Sequence, residues 1–357
     1  MPAMQRRAFL ASVATIGSAV PLLGLPGIAA ATTGTTRVTG PYTHENLALY
    51  FAHGPSAPGP VPLTLQEAMA KGTFLVHETG DVNRLIIENR GRDEVYVQAG
   101  DIVKGGKQDR VLTTSMLVPP GSGPTPVGAY CVEQGRWQQR GTENATRFTS
   151  SDSAMPSLKA KIAMKAPEKD SGPSPLQRGD GSRRQNEVWR DVAETQNKLT
   201  RTLGAAVAAP ESRSSLQLSL ENKKVRETLA AYVTALKPLI DKSTDSLGFA
   251  FAVNGKLNSA DLYPSHGLFR KLWPKLLEAA ATEALAERNA DKNAPPAAAA
   301  PDKHQISGFL SEAERGRKGE RTINNTTRLG TGETDKSYYF ETRKADGVWV
   351  HRNYLAR

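Results

Sequence analysis

Two strings carry most of the residue types that could do chemistry. The first, Gly100-Asp101-Ile102-Val103-Lys104-Gly105-Gly106-Lys107-Gln108-Asp109-Arg110, mixes glycines with cations and carboxylates. Glycines let a backbone approach a ligand closely and turn its N–H groups toward it, and Lys104, Lys107 and Arg110 could neutralise phosphates. The spacing approaches the phosphate loop of nucleotide triphosphatases and then departs from it. An extra glycine precedes Lys107, Gln108 stands where Ser or Thr is needed, and a strand rather than a helix follows, which excludes that reading. A glycine-rich β-turn with a solvated charged face is the plainer alternative, and composition favours it.

The second string, Cys131-Val132-Glu133-Gln134-Gly135-Arg136-Trp137, closes a strand. Period-two geometry puts Cys131 and Glu133 on one face. A thiol beside a carboxylate is a poor nucleophile unless a cation is close, and Arg136 or Arg110 could be that cation. A single cysteine in an apolar strand is more often a small core residue. Glu133 is the better candidate for general acid–base work or for anchoring a ligand, and Asp109 of the first string is the alternative for handling a proton. The six histidines are scattered, never at metal-ligand spacing, and His77-Glu78 is not continued as a zinc helix. No metal site is expected, no cofactor is identified, and no Gly-x-Ser-x-Gly elbow marks a serine hydrolase.

The elements that must position these strings read as α+β. The segment Leu63–Ala70 has helical spacing, with Thr64 and Glu67 forming a capping box. Short β-branched and aromatic runs follow at Phe74–His77, Arg84–Glu88, Val95–Gln98, Val111–Val118 and Val127–Glu133, too closely spaced for crossover helices. The spacing predicts an antiparallel sheet or sandwich. About three amphipathic helices come next, over Val188–Leu203, Leu218–Leu239 and Gly267–Arg288, with Pro274 kinking or starting the last. Between them, Gly248–Leu262 reads as a hairpin turning at Asn254-Gly255.

Arg6-Arg7 and an uncharged run from Ala11 to Ile28, broken by Gly and Pro, read as a twin-arginine signal rather than a membrane span. Ala29, Ala30 and Ala31 supply a cleavage site. The translocase is thus an expected partner, the chain is expected to be periplasmic or extracellular, and no stable membrane anchor is expected after cleavage. The formal charge is +10, of which Arg6 and Arg7 contribute two. That balance suits an anionic small molecule. The cations are not interleaved with aromatics, which argues against nucleic acid. The expected organisation is a signal peptide over 1–31, a flexible leader over 32–43, a domain over 44–289 with a polar insert at 152–184, a linker over 290–320 and a terminal hairpin over 321–357.

Taken together, the two strings resemble the ARPP-1 family, the ARG and rhodanese-phosphatase superfamily associated protein domain. The resemblance runs through Glu45-Asn46-Leu47, Leu65-Gln66-Glu67-Ala68, Gly100-Asp101, Gly105 to Arg110, Cys131 to Trp137, Val188-Trp189, Gly248 to Gly255 and Leu268 to Trp273. It implies a context of NAD or ADP-ribose metabolism. This leaves two readings. In one, Lys107 and Arg110 hold an anionic group together with Asp101, Gly105, Gly106, Gln108 and Gln134, Asp109 or Glu133 handles a proton, Cys131 is a further catalytic candidate, Arg136 orients a carboxylate and Trp137 stacks a ring. In the other, the same Gly, Arg and Trp residues lock the sheet of a non-catalytic binding domain through a buried ion pair such as Asp109 with Arg136.

Overall fold

The computed structural model describes residues 36–165, 180–288 and 298–357; the expected signal peptide and residues 166–179 of the polar insert lie outside them. In chain order the strands are β1 (Arg37–His44), β2 (Leu47–His53), β3 (Leu63–Thr64), β4 (Phe74–Asp81), β5 (Arg84–Asn89), β6 (Val95–Val97), β7 (Asp101–Gly105), β8 (Arg110–Leu112), β9 (Met116–Val118), β10 (Thr125–Cys131) and β11 (Phe148–Ala154). The later strands are β12 (Ser246–Val253), β13 (Lys256–Leu262), β14 (Arg317–Asn324), β15 (Thr327–Glu333), β16 (Ser337–Lys344) and β17 (Trp349–Ala356). The helices are α1 (Leu65–Ala70), α2 (Leu158–Lys165), α3 (Asp180–Leu203), α4 (Leu216–Leu220), α5 (Lys223–Leu236), α6 (His266–Ala286) and α7 (Lys303–Arg315). The fold is α+β and dominated by antiparallel sheets.

Strand β2 is apolar until its last residue and buried throughout, as a strand covered on both faces should be. It lies inside an eight-stranded sheet ordered β1-β2-β12-β13-β17-β16-β15-β14. Leu47, Leu49 and Phe51 pack with Phe249 and Phe251 against Trp273, Phe269 and Leu229 of α6 and α5. The alternate residues Ala48, Tyr50 and Ala52 meet Ile306, Phe309 and Leu310 of α7 on the opposite face. Each fully buried large side chain there contributes about 1.5–3 kcal/mol relative to exposure. The hairpin β12–β13 turns at Asn254 and Gly255, with φ of +52° and +75°, the turn its sequence predicts.

The second layer is a six-stranded sheet ordered β11-β7-β8-β10-β5-β4, with a three-stranded sheet β3-β6-β9 beside it. Leu85, Ile87, Val103, Leu112 and Val127 of the former pack with Val95, Val97, Met116 and the capped helix α1. On the other face, Ile102 and Val111 meet Met164, Val188, Val192 and Leu216 of α2, α3 and α4. The strands that carry both chemical strings are therefore clamped from both sides.

Several expectations need correcting. The run Val111–Val118 is not one strand: β8 pairs with β7 and β10, whereas β9 pairs with β6 in a different sheet. Strand β1 begins at Arg37, inside the expected leader, because it pairs along β2. Helix α7 lies inside the expected linker, started by an Asp302–Gln305 capping box. The chain end is four strands of the central sheet, since β17 pairs with β13. Pro274 lies within α6 rather than starting it. The carbonyl of Arg270 that Pro274 leaves without a donor sits on an exposed position, where water can take the bond.

Candidate functional site

The hairpin between β7 and β8 presents the first string in its turn, and β10 pairs Cys131 with Arg110, so the second string leaves the sheet directly beside the first. Backbone bonds then fix the exit. Val132 N–H donates to the Asp109 carbonyl at 3.0 Å, and the Gln108 side-chain amide donates to the Glu133 carbonyl at 2.8 Å.

Two fully buried carboxylates, Asp109 and Glu133, meet at this junction. Arg136 approaches Glu133 Oε2 at 2.6 Å and Asp109 Oδ1 at 3.5 Å. Arg140 spans both acids, Nη1 lying 2.9 Å from Asp109 Oδ2 and 3.0 Å from Glu133 Oε1, while Nη2 donates to Asp109 Oδ1 at 3.0 Å and to Glu143 at 2.9 Å. Three neutral donors complete the shell. Gly105 N–H reaches Asp109 Oδ1 at 3.0 Å, Asp109 N–H reaches Glu133 Oε2 at 2.9 Å, and the Ser215 hydroxyl reaches Asp109 Oδ2 at 2.8 Å. All four carboxylate oxygens are thus engaged. Ser215 also caps α4, accepting from Leu218 N–H, which ties that short helix to the network.

The two acids titrate in opposite directions. Burial, with Glu133 as a like-charged neighbour, pushes the Asp109 carboxyl up against the opposing bonds from Arg140. Burial would raise Glu133 too, but the Arg136 bond and its other donors hold it below the ordinary range. The geometry is that of a charge network assembled to stay ionised in a dry site, where every partner is required.

Arg110 is fully buried, bonds the Gln108 carbonyl at 3.1 Å and pairs with Glu78 at 3.4 Å. It does not face solvent. Cys131 is also fully buried, donating its thiol to Gln108 Oε1 at 2.9 Å, and burial pushes that thiol up to about 12. At that value the thiolate is essentially absent near neutrality, so Cys131 behaves as a core residue. Lys107 lies over the Trp137 ring at 5.0 Å, with the Arg110 guanidinium at 5.7 Å. Trp137 itself is 45% exposed. Asp101 stands apart, paired with Lys275 of α6 at 2.8 Å and accepting from Gln98 N–H.

The structure therefore brings together Gly105, Gly106, Lys107, Gln108, Asp109, Arg110, Cys131, Glu133, Arg136 and Trp137, and leaves Asp101 outside. Sequence reasoning missed Arg140, Ser215 and Glu78, although Arg140 makes more contacts to the acids than Arg136. Beside the network, the loop from Gln134 to Glu143 and the segment Glu211–Ser214 border an open basin of about 880 Å³. Gln134 and Gln139 are exposed on its rim, Arg136 and Arg140 form its floor, and Arg213 is exposed at its edge, its guanidinium making no hydrogen bond or ion pair among the described residues.

An antiparallel α+β domain built on a Gly-Gly-Lys-Gln-Asp-Arg hairpin locked to a Glu-Gln-Gly-Arg-Trp loop is the class of protein these features define. The chain belongs to the ARG and Rhodanese-Phosphatase-superfamily-associated Protein domain family, ARPP-1, which matches residues 35–355 and so takes in the C-terminal strands β14 to β17. No curated protein and no solved structure matches it.

Proposed function

We propose that this is an exported binding domain for a small anionic, nucleotide-type ligand, in which the paired strings are scaffold and the adjoining basin is the ligand seat. The observation that carries this reading is the closure of the Asp109–Glu133–Arg136–Arg140 network on itself. A general acid or base needs an oxygen within hydrogen-bond reach of substrate, and both carboxylates have spent theirs. The basin, by contrast, has the free guanidinium of Arg213 with the side-chain amides of Gln134 and Gln139 on its rim, a set that takes an oxyanion and polar ring edges. The family resemblance implies a context of NAD or ADP-ribose metabolism, and an ADP-ribose or NAD skeleton supplies both groups.

The test is a melting-temperature screen of the purified chain against ADP-ribose, NAD and divalent metals. A ligand at a hundredfold excess over its dissociation constant adds about 2.7 kcal/mol of stability. A shift with ADP-ribose or NAD is expected, and Arg213→Ala should remove it while leaving the unliganded melting temperature in place, because Arg213 is exposed. No shift with either nucleotide, or a shift that survives Arg213→Ala, contradicts the proposal.

Export is supported by Arg6-Arg7, the uncharged run to Ile28 and Ala29-Ala30-Ala31. Replacing both arginines with lysine should hold the precursor in the cytoplasm of a host with a twin-arginine pathway. Cell fractionation reads the outcome, and undiminished export of the double variant would remove this part of the reading.

A further inference from the structure

A second polar site lies between the two large sheets, away from the network. Helix α2 covers a cavity of about 30 Å³, partly open to solvent on the side of the half-buried Lys161 and Lys165, walled by Phe249, Phe251, Met155 and Leu276 and lined on its polar side by those lysines with Asp261, Asn353 and Gln98. That volume holds about two waters. A tetrahedral anion, with four oxygens, fits only with its outer oxygens at the open mouth, where Lys161 and Lys165 are half-buried.

The charges do not balance. Lys161 and Lys165, one turn apart on α2, both line the cavity, and both ammoniums lie within electrostatic range of Asp261. Asp261 is already committed, accepting at Oδ1 from His351 at 2.9 Å and from the Asn353 amide at 2.8 Å. Lys165 reaches the Asn353 side-chain carbonyl at 2.5 Å and lies over the Phe340 ring at 4.5 Å. The Lys161 ammonium has only the Phe251 ring, 5.7 Å away, and no hydrogen bond or ion pair among the described residues. Glu283 also acts on Lys161 from a distance, but it lies outside the cavity, accepts from Leu158 N–H at 3.1 Å, and has its carboxyl pushed up by burial. Burial pushes both ammoniums down, Lys165 to about 7, so two lysines facing one carboxylate in a largely apolar chamber either give up protons or take in a further anion.

Asp261 determines which anion. Its position is fixed by a relay in which His351 bonds Asp261 through Nε2 and the Ser115 hydroxyl through Nδ1 at 2.9 Å, all three residues being buried. A fixed carboxylate beside two ammoniums accepts a hydrogen bond from an oxyanion that still carries a proton and repels one that does not.

We infer that this cavity is a binding site for a small protonated oxyanion of the hydrogen phosphate class, held by Lys161 and Lys165 and selected by the Asp261 carboxylate. The site is separate from the basin and does not depend on the nucleotide reading.

Calorimetric titration with inorganic phosphate and with sulfate at pH 7 tests it. The full chain is expected to bind one phosphate at this site and sulfate at least tenfold more weakly, because sulfate has no proton to offer Asp261. Lys161→Met should weaken phosphate binding at least tenfold, and Lys165→Met carries the same expectation should the first variant fold poorly. Asp261→Asn should raise sulfate affinity relative to phosphate. The phosphate binding that depends on Lys161 should persist in Arg213→Ala, which removes only an anion seated in the basin. Absence of phosphate binding, equal binding of phosphate and sulfate, or lysine variants that bind as the native chain does would each overturn the inference.

Discussion

Replacing Arg140 with alanine is expected to lower the free energy of unfolding by about 3–5 kcal/mol, the cost of breaking a buried charge pair from one side. The reason is local and countable. Arg140 donates to both oxygens of Asp109 and to one of Glu133, and its removal leaves two buried carboxylates facing each other with Arg136 as the one cation paired to them among the described residues. Asp109, whose carboxyl burial already pushes up, would respond by holding a proton. A group whose pKa is raised in the folded state stabilises below its unfolded value, and that contribution is lost as pH rises through the folded value. The deficit of the variant should therefore be larger at pH 8 than at pH 5. Urea unfolding at the two pH values measures both effects, and a loss below about 1 kcal/mol at pH 8 would mean that the network contributes little.

Gly106→Ala should cost about 2–5 kcal/mol, from strain at a left-handed residue together with overpacking. Gly106 has φ +55°, and a Cβ there would lie 2.3 Å from Phe148 Cζ and 3.0 Å from the Glu78 carboxylate. Both neighbours are held, Phe148 by its place on β11 and Glu78 by Arg110 and the Lys107 N–H. Gly135 provides the internal comparison. It has φ +88° and nothing within 4 Å of the place a Cβ would take, so Gly135→Ala should carry the backbone cost alone. Thermal or urea unfolding of the pair separates the two contributions. Equal, small losses at both positions would show that the Gly-Gly step is not needed to seat the hairpin on Phe148.

Much of the sheet framework is legible in the sequence because its signals are local. The Thr64–Glu67 capping box, the Asn254-Gly255 turn and the alternation through Phe249, Phe251 and Val253 each declare themselves within a few residues. The adjacency of the two strings is a condition of the ligand-site reading that the sequence does not declare, and the pairing of β10 with β8 supplies it. What escaped has no local period. Arg140 lies seven residues beyond Glu133 in an irregular loop, and only the folded loop turns it back onto both acids. Helix α7 hides in a segment whose neighbourhood is rich in Ala and Pro, and its apolar face is recognisable only once β1, β15 and β16 offer a surface to cover. Val111–Val118 reads as one run because Val111-Leu112 and Met116-Leu117-Val118 make both of its ends apolar, although they serve different sheets. The lysines of α2 read as part of a polar insert, and their partners Asp261, His351 and Asn353 are scattered through the later half of the chain.

The most direct test of the closed network is a double-mutant cycle between Asp109 and Arg140, read by urea unfolding of the native chain, Asp109→Ala, Arg140→Ala and the double variant. If the two strings form a self-satisfied scaffold, the double variant is more stable than the sum of the single losses by about 2–3 kcal/mol, since removing both partners leaves fewer uncompensated charges than removing either. Losses that add within about 0.5 kcal/mol would show that the two residues act independently, and would return Asp109 to the position of a carboxylate available for chemistry.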